Sequence, residues 1–260
     1  MIKQEENSEL KEFLVRTPYC DFGQPSIQKI AIDFKNKNFS NQTDLAVALF
    51  YFVRDSILYR VGLWQMKASE TLFEGSGTCT NKVNLLVALL RACGIPAGYG
   101  VMKVKGKEYF GPVMLDLFRN HVGSASTHIY SYVFLGGRWL KCDPSDDKIF
   151  SARTSYFNPP SKLVDWDGQS DAPLNLHPEH ILEDRGPLSN IDEVIAKRPR
   201  NAKGIFLTLG NLYVQFLRQN DVKINNATEL APLFGQWLKK EYFWYYLFFV
   251  LASLLRGKPF

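Results

Sequence analysis

The run Gly75-Ser76-Gly77-Thr78-Cys79-Thr80-Asn81-Lys82-Val83-Asn84-Leu85-Leu86-Val87-Ala88-Leu89-Leu90-Arg91-Ala92-Cys93-Gly94-Ile95-Pro96 decides the fold, because it puts a thiol where a helix begins. Val83, Leu86, Val87 and Leu90 fall at i, i+3, i+4 and i+7, which predicts a helix with one apolar face. Gly94 occupies the usual C′ position and Pro96 forbids continuation, so the helix is predicted from about Cys79 to about Cys93. A cysteine in the first turn feels the positive end of the macrodipole and its unpaired N–H groups, and both favour thiolate over thiol. Lys82, one turn on, is expected to add positive charge on the same side. The glycines allow the close backbone approach that a nucleophile-presenting loop needs.

The second informative stretch is Thr127-His128-Ile129-Tyr130-Ser131-Tyr132-Val133-Phe134-Leu135-Gly136-Gly137-Arg138-Trp139-Leu140-Lys141-Cys142-Asp143-Pro144. Two β-rich runs flank a Gly-Gly pair, which predicts a hairpin. A two- or four-residue loop centred on the glycines pairs Phe134 with Trp139, Tyr132 with Lys141 and Tyr130 with Asp143. Asp143 then shares a face with His128 as a diagonal neighbour, within reach of one hydrogen bond. A three-residue loop would flip the parity and separate them. Cys79, His128 and Asp143 are therefore the candidate catalytic residues, as nucleophile, base and orienter. His121 is the rival base and lacks a matching carboxylate.

The cysteine run, with Leu89 to Ala97 behind it, resembles the transglutaminase-like superfamily. So do His128 leading to Gly137-Arg138-Trp139, and Asp143-Pro144. Ile57-Leu58-Tyr59 and Ala68-Ser69-Glu70-Thr71-Leu72 resemble that family's lead-in to its cysteine. The resemblance covers roughly residues 45 to 150, with the blocks in the family's order. It implies an α+β, papain-like core: a cysteine on a helix N-terminus packed on an antiparallel sheet that carries histidine and aspartate, here with a helical C-terminal extension. A side-chain donor for the oxyanion hole is not evident. Tyr59, Trp64 and Gln65 are upstream candidates, and the Cys79 backbone N–H is the safer one.

The chemistry expected is thiol-dependent acyl transfer through a Cys79 thioester, forming or exchanging an amide on an amine acceptor. The alternatives are a cysteine hydrolase of the same fold, an arylamine N-acetyltransferase-like enzyme, and a non-catalytic interaction module. The donor could be a small molecule, a peptide or carrier-bound, and the acceptor an amine or water. No cofactor is expected. No metal is expected either: Cys79 and Cys93 end one helix about 21 Å apart, no C-x-x-C pair exists, and His177-Pro178-Glu179-His180 lacks further ligands. Cys20, Cys93 and Cys142 read as buried or incidental thiols.

Composition fits a globular enzyme, with 46% hydrophobic and 22% charged residues and a net charge of +5. The basic residues are scattered apart from Lys103, Lys105, Lys107 and the 197–203 stretch, so no nucleic-acid partner is expected. Met1 to Asn7 has no apolar core, which predicts no signal peptide and a cytoplasmic setting. Three regions are predicted: a polar lead-in over 1–40, a catalytic core over 41–157, and a turn-rich connection with C-terminal helices over 158–260. Helices are expected over Thr43–Arg54, Ile191–Ile195, Ile205–Leu217 and Leu230–Leu255, and a strand over Ala97–Val104. Lys105–Ser126 reads as a long connection overhanging the site. Tyr242–Leu255 is uncharged and aromatic but short of the about 20 residues that span a bilayer. Its surface must be covered by the core, by a second copy as a homo-oligomer, or by a membrane surface to which the protein is peripheral. It could also roof a site for an acyl chain.

Overall fold

The computed structural model describes residues 10–62, 64–110, 114–119, 122–154, 164–174, 177–199, 204–222 and 229–255. In chain order the elements are α1 (Pro25–Lys35), α2 (Gln42–Ser56), β1 (Leu58–Tyr59), α3 (Ala68–Glu74), β2 (Ser76–Gly77) and α4 (Cys79–Ala92). They continue with β3 (Ala97–Lys105), α5 (Gly106–Phe110), α6 (Asp116–Arg119), β4 (Ala125–Leu135), β5 (Arg138–Cys142) and α7 (Lys148–Thr154). The last are β6 (Ile181–Leu188), α8 (Asp192–Ala196), α9 (Ile205–Gln219), α10 (Leu230–Glu241) and α11 (Phe243–Leu254).

Helix α4 is the centre of the main core, and its surroundings exceed the one apolar face read from its spacing. All its residues from Thr80 to Arg91 are buried. The buried polar side chains are satisfied by backbone carbonyls of the segments packed around them. Lys82 donates to Arg54 O, Asn84 to Tyr19 O, and Arg91 to Val15, Ala97 and Ser189 carbonyls. Each such bond removes the desolvation cost of a buried donor and also pins a loop to the helix.

A four-stranded antiparallel sheet, in the order β5-β4-β3-β6, packs on α4. Ile129 and Val133 of β4, with Tyr99 and Val101 of β3, join the α4 core. Met102, Val104, Tyr130 and Tyr132 form a smaller cluster. The hairpin register is the one expected from the glycine pair: Phe134 faces Trp139, Tyr132 faces Lys141, and the ladder ends at Ser131 and Cys142. Gly136 and Gly137 have φ of 57° and 79°, the two positive values that a tight type I′ connection demands.

Three sequence expectations change. The region read as a polar lead-in holds α1, whose Ile27, Ala31 and Phe34 are buried and which packs against α4. The turn-rich connection supplies β6, an exposed edge strand that pairs with β3. Leu230–Leu255 is two helices, broken at Tyr242, where φ of −144° and ψ of 61° leave the helical region. α9, α10 and α11 share a second core with Leu115, Leu117 and Phe150. Phe234 lies at its centre, in edge contact with Tyr213 and Phe249. No described helix is long and apolar enough to cross a membrane.

Candidate active site

The site forms where the N-terminus of α4 meets the sheet. β2 runs parallel to β1 and delivers the chain into α4. Gly77 is required there, because a Cβ on it would lie 2.6 Å from the Asn81 Cβ. Asn81 then fixes the first turn: its Oδ1 accepts from the Thr78 N–H at 3.0 Å and the Thr78 hydroxyl at 2.8 Å. Its Nδ2 donates to Trp64 O at 3.0 Å, which anchors the preceding loop beside Cys79. The cysteine is thus held in the first helical turn by local capping bonds.

The structure brings Cys79, His128 and Asp143 together. His128 is 2% exposed, and its Nε2 lies 2.8 Å from Asp143 Oδ2. On the other side, the imidazole and the Ile129 backbone N–H both lie close enough to Cys79 to act on its thiol. Tyr109 Oη is 3.3 Å from His128 Nδ1. Asp143 is oriented in turn by Ser145, whose backbone N–H donates to Oδ1 at 3.0 Å and whose hydroxyl donates to the same atom. Pro144 ends the strand, so the chain can fold back for these bonds.

The electrostatics follow from this geometry. Burial alone would push the Cys79 thiol up. The His128 hydrogen bond and charge, with the Ile129 N–H, outweigh it and bring the thiol below its ordinary value. Burial alone would push His128 down, but the Asp143 charge and hydrogen bond, reinforced by Cys79, hold the imidazolium well above its usual range. Asp143 is held below the usual carboxylate range against its own burial by His128 and Ser145. Each shift favours the charged form of its group: thiolate, imidazolium and carboxylate. The other cysteines behave oppositely: burial raises Cys20, Cys93 and, most strongly, Cys142.

Lys82 does not support the thiol as expected. It is fully buried, its Nζ donates to Arg54 O at 3.0 Å, and burial lowers it to about 8 against the pull of Asp147, Asp146 and Asp143. The loop after Asp143 is a junction that sequence reasoning missed. Asp147 accepts from the Tyr59 N–H and caps α7 through the Phe150 N–H, each at 2.9 Å, and it pairs with Arg218 of α9. Asn211 of α9 closes a two-way bond with the Val61 backbone, 3.0 Å in each direction. The signal for Arg218 and Asn211 was their polarity inside a largely apolar helix.

A cavity of about 340 Å³ opens from Cys79 and His128. Tyr59 and Trp64 line it, whereas Gln65 donates to Ala196 O and does not. The connection over Lys105–Ser126 contributes Tyr109, Met114, Phe118 and Val122 to the lining, so it does overhang the site. His121 lies outside the described residues. Among the described residues no group of three or more His, Cys, Asp or Glu side chains could hold a metal. His177 and His180 contact each other, their ring centroids 5.3 Å apart.

Residues 31–144 match the family model of the transglutaminase-like superfamily. Among solved structures, a candidate cysteine protease from Cytophaga hutchinsonii is similar at 22% sequence identity and a TM-score of 0.41. That alignment covers 52% of this chain and 42% of the other, so this chain spans less than half of that protein's length. No curated protein matches. The matched segment runs from within α1 to the proline after Asp143 and contains all three residues that meet at the helix N-terminus. Over residues 31–144 the chain is similar to the transglutaminase-like superfamily.

Proposed function

We propose that this protein is a cysteine enzyme that transfers acyl groups through a thioester on Cys79, with an amine as the preferred acceptor. One observation carries the reading: a buried imidazole, hydrogen-bonded to a carboxylate, shares one cavity with a thiol at a helix N-terminus. In this reading the Cys79 thiolate attacks the donor carbonyl, and the S–C bond forms as the tetrahedral intermediate builds up. His128 gives its proton to the leaving group as the carbonyl re-forms. The acceptor amine then adds to the thioester while His128 takes its proton, and the thiolate leaves with the electron pair. Asp143 keeps the ring in the required tautomer and stabilises the imidazolium. In the same reading the Cys79 backbone N–H, in the first turn of α4, stabilises the developing oxyanion.

The test is an activated ester, p-nitrophenyl acetate, followed by peptide mapping with and without hydroxylamine as acceptor. An acetyl adduct on Cys79, discharged to the hydroxamate in proportion to the amine, is expected. An adduct discharged only to acetate at every amine concentration would transfer the assignment to a cysteine hydrolase. No adduct on Cys79 would overturn both.

A further inference from the structure

The cavity beside Cys79 has two unlike walls. The triad side carries Cys79, His128, Ser145 and Asp146, while the far side is built by α9 through Phe206, Leu207, Gly210, Tyr213, Val214 and Leu217. Among the described residues no lysine or arginine lines it, so apart from His128, which Asp143 already pairs, it offers no cation to an anionic acyl group or a phosphate. Asp146 on the near wall would repel such a group. The volume of about 340 Å³ falls in the range of sites that enclose a small ligand, and the lining is mainly apolar, as in such sites.

Gly210 is the informative residue. A glycine inside a helix costs about 1 kcal/mol relative to alanine. Here close packing does not require it, because the nearest atom to an added Cβ is Val61 Cγ2 at 3.9 Å. Its effect is to leave open space in the wall of the cavity that also holds the thiol. The apolar character also continues outward. Phe206 lines the cavity, is 36% exposed, and contacts Phe248 of α11 with ring centroids 5.4 Å apart. Beyond it α11 exposes Phe243, Trp244, Leu247 and Leu251.

We infer that the α9 side of this cavity is the acyl pocket, taking an uncharged apolar acyl chain of medium length, with Gly210 setting its depth. The inference rests on the acyl-transfer reading for its chemistry but not for its binding. The binding test is therefore made without turnover, using simple amides as non-reactive mimics. Acetamide, butanamide, hexanamide and octanamide are each assayed for protection of Cys79 against iodoacetamide, and the site of labelling is read by peptide mapping.

Burying a methylene is worth roughly fourfold in affinity. Octanamide is thus expected to protect at concentrations at least tenfold below butanamide. Gly210→Phe, which fills the open space, should erase that gain, each variant being compared with its own unprotected rate. Val214→Ala, which enlarges the wall, should move the best length upward, and it keeps the inference testable if the phenylalanine variant does not fold. Equal protection by all four amides, or a chain-length gain that survives Gly210→Phe, would overturn the pocket. A p-nitrophenyl octanoate that leaves no adduct on Cys79 while octanamide protects it would overturn acyl transfer and leave the pocket standing.

Discussion

The two walls of the cavity are built on opposite principles. The triad wall is polar, buried and specified bond by bond: Asn81 holds Thr78, Ser145 holds Asp143, and Asp143 holds His128. The α9 wall is apolar and belongs to an aromatic core centred on Phe234. On the first wall the chemistry admits few residue types, so a substitution should strike reactivity. On the second, many apolar side chains fill similar space, so a substitution should change shape and stability first. The Asp147–Arg218 pair joins the two.

The largest effect is expected on the triad wall. Asp143→Asn leaves the fold in place and removes the charge that holds the imidazolium. Acylation of Cys79 should fall by a factor on the order of 10⁴, as for the corresponding change in a serine triad. Stopped acylation with unchanged melting is the signature, and a loss under tenfold would mean that His128 does not need its carboxylate.

The second wall should respond in stability. Phe249 is 1% exposed and Trp244 on the same helix is 80% exposed. Phe249→Ala should cost about 3–5 kcal/mol in denaturant unfolding, and Trp244→Ala no more than ~0.5 kcal/mol. Equal losses would mean that the outer face of α11 is also buried, by a second copy or another partner.

The junction comes next in size. Arg218→Met leaves the Asp147 carboxylate buried without its cation, at a cost of about 3 kcal/mol at neutral pH. Arg218 holds Asp147 below the usual carboxylate range against burial. A depressed acid contributes stability above its unfolded pKa, about 3.9, and loses it as pH falls through the lower folded value. The gap between wild type and Arg218→Met should therefore close in acid. A gap that is constant with pH would assign the loss to packing alone.

Much of the triad wall was legible. Gly94 and Pro96 ended α4 where they should, and the Gly136-Gly137 turn set the parity that puts Asp143 beside His128. These are positions where backbone conformation or a single functional group dictates residue type. The missed elements lack that constraint. α1 carried its signal in Ile27, Ala31 and Phe34, at i, i+4 and i+7, but its exposed charged residues masked it. β6 is an exposed edge strand containing Gly186-Pro187, so it shows no apolar alternation. Lys82 reads as a surface charge because its partners, Arg54 O and the 146–147 carboxylates, are distant in sequence. The α9 wall has no motif at all, since only its neighbours make it a wall.

The smallest expected effect concerns Tyr109, whose hydroxyl sits 3.3 Å from His128 Nδ1. Tyr109→Phe removes a polar contact on the nitrogen side of the ring and should change the Cys79 alkylation rate about two- to fivefold, the worth of one weak hydrogen bond. No change would make Tyr109 a lining residue only.

The most direct test of the central claim, that His128 and Cys79 form an ion pair, is the pH profile of iodoacetamide labelling mapped to Cys79. In the wild type the rate should rise through a midpoint below the ordinary thiol value of about 8.5, with Cys20, Cys93 and Cys142 unlabelled over the same range. In His128→Ala, burial acts on the thiol without the opposing charge, and the midpoint should move above that value. A wild-type midpoint at or above 8.5, or one that His128→Ala leaves unmoved, would contradict the ion pair.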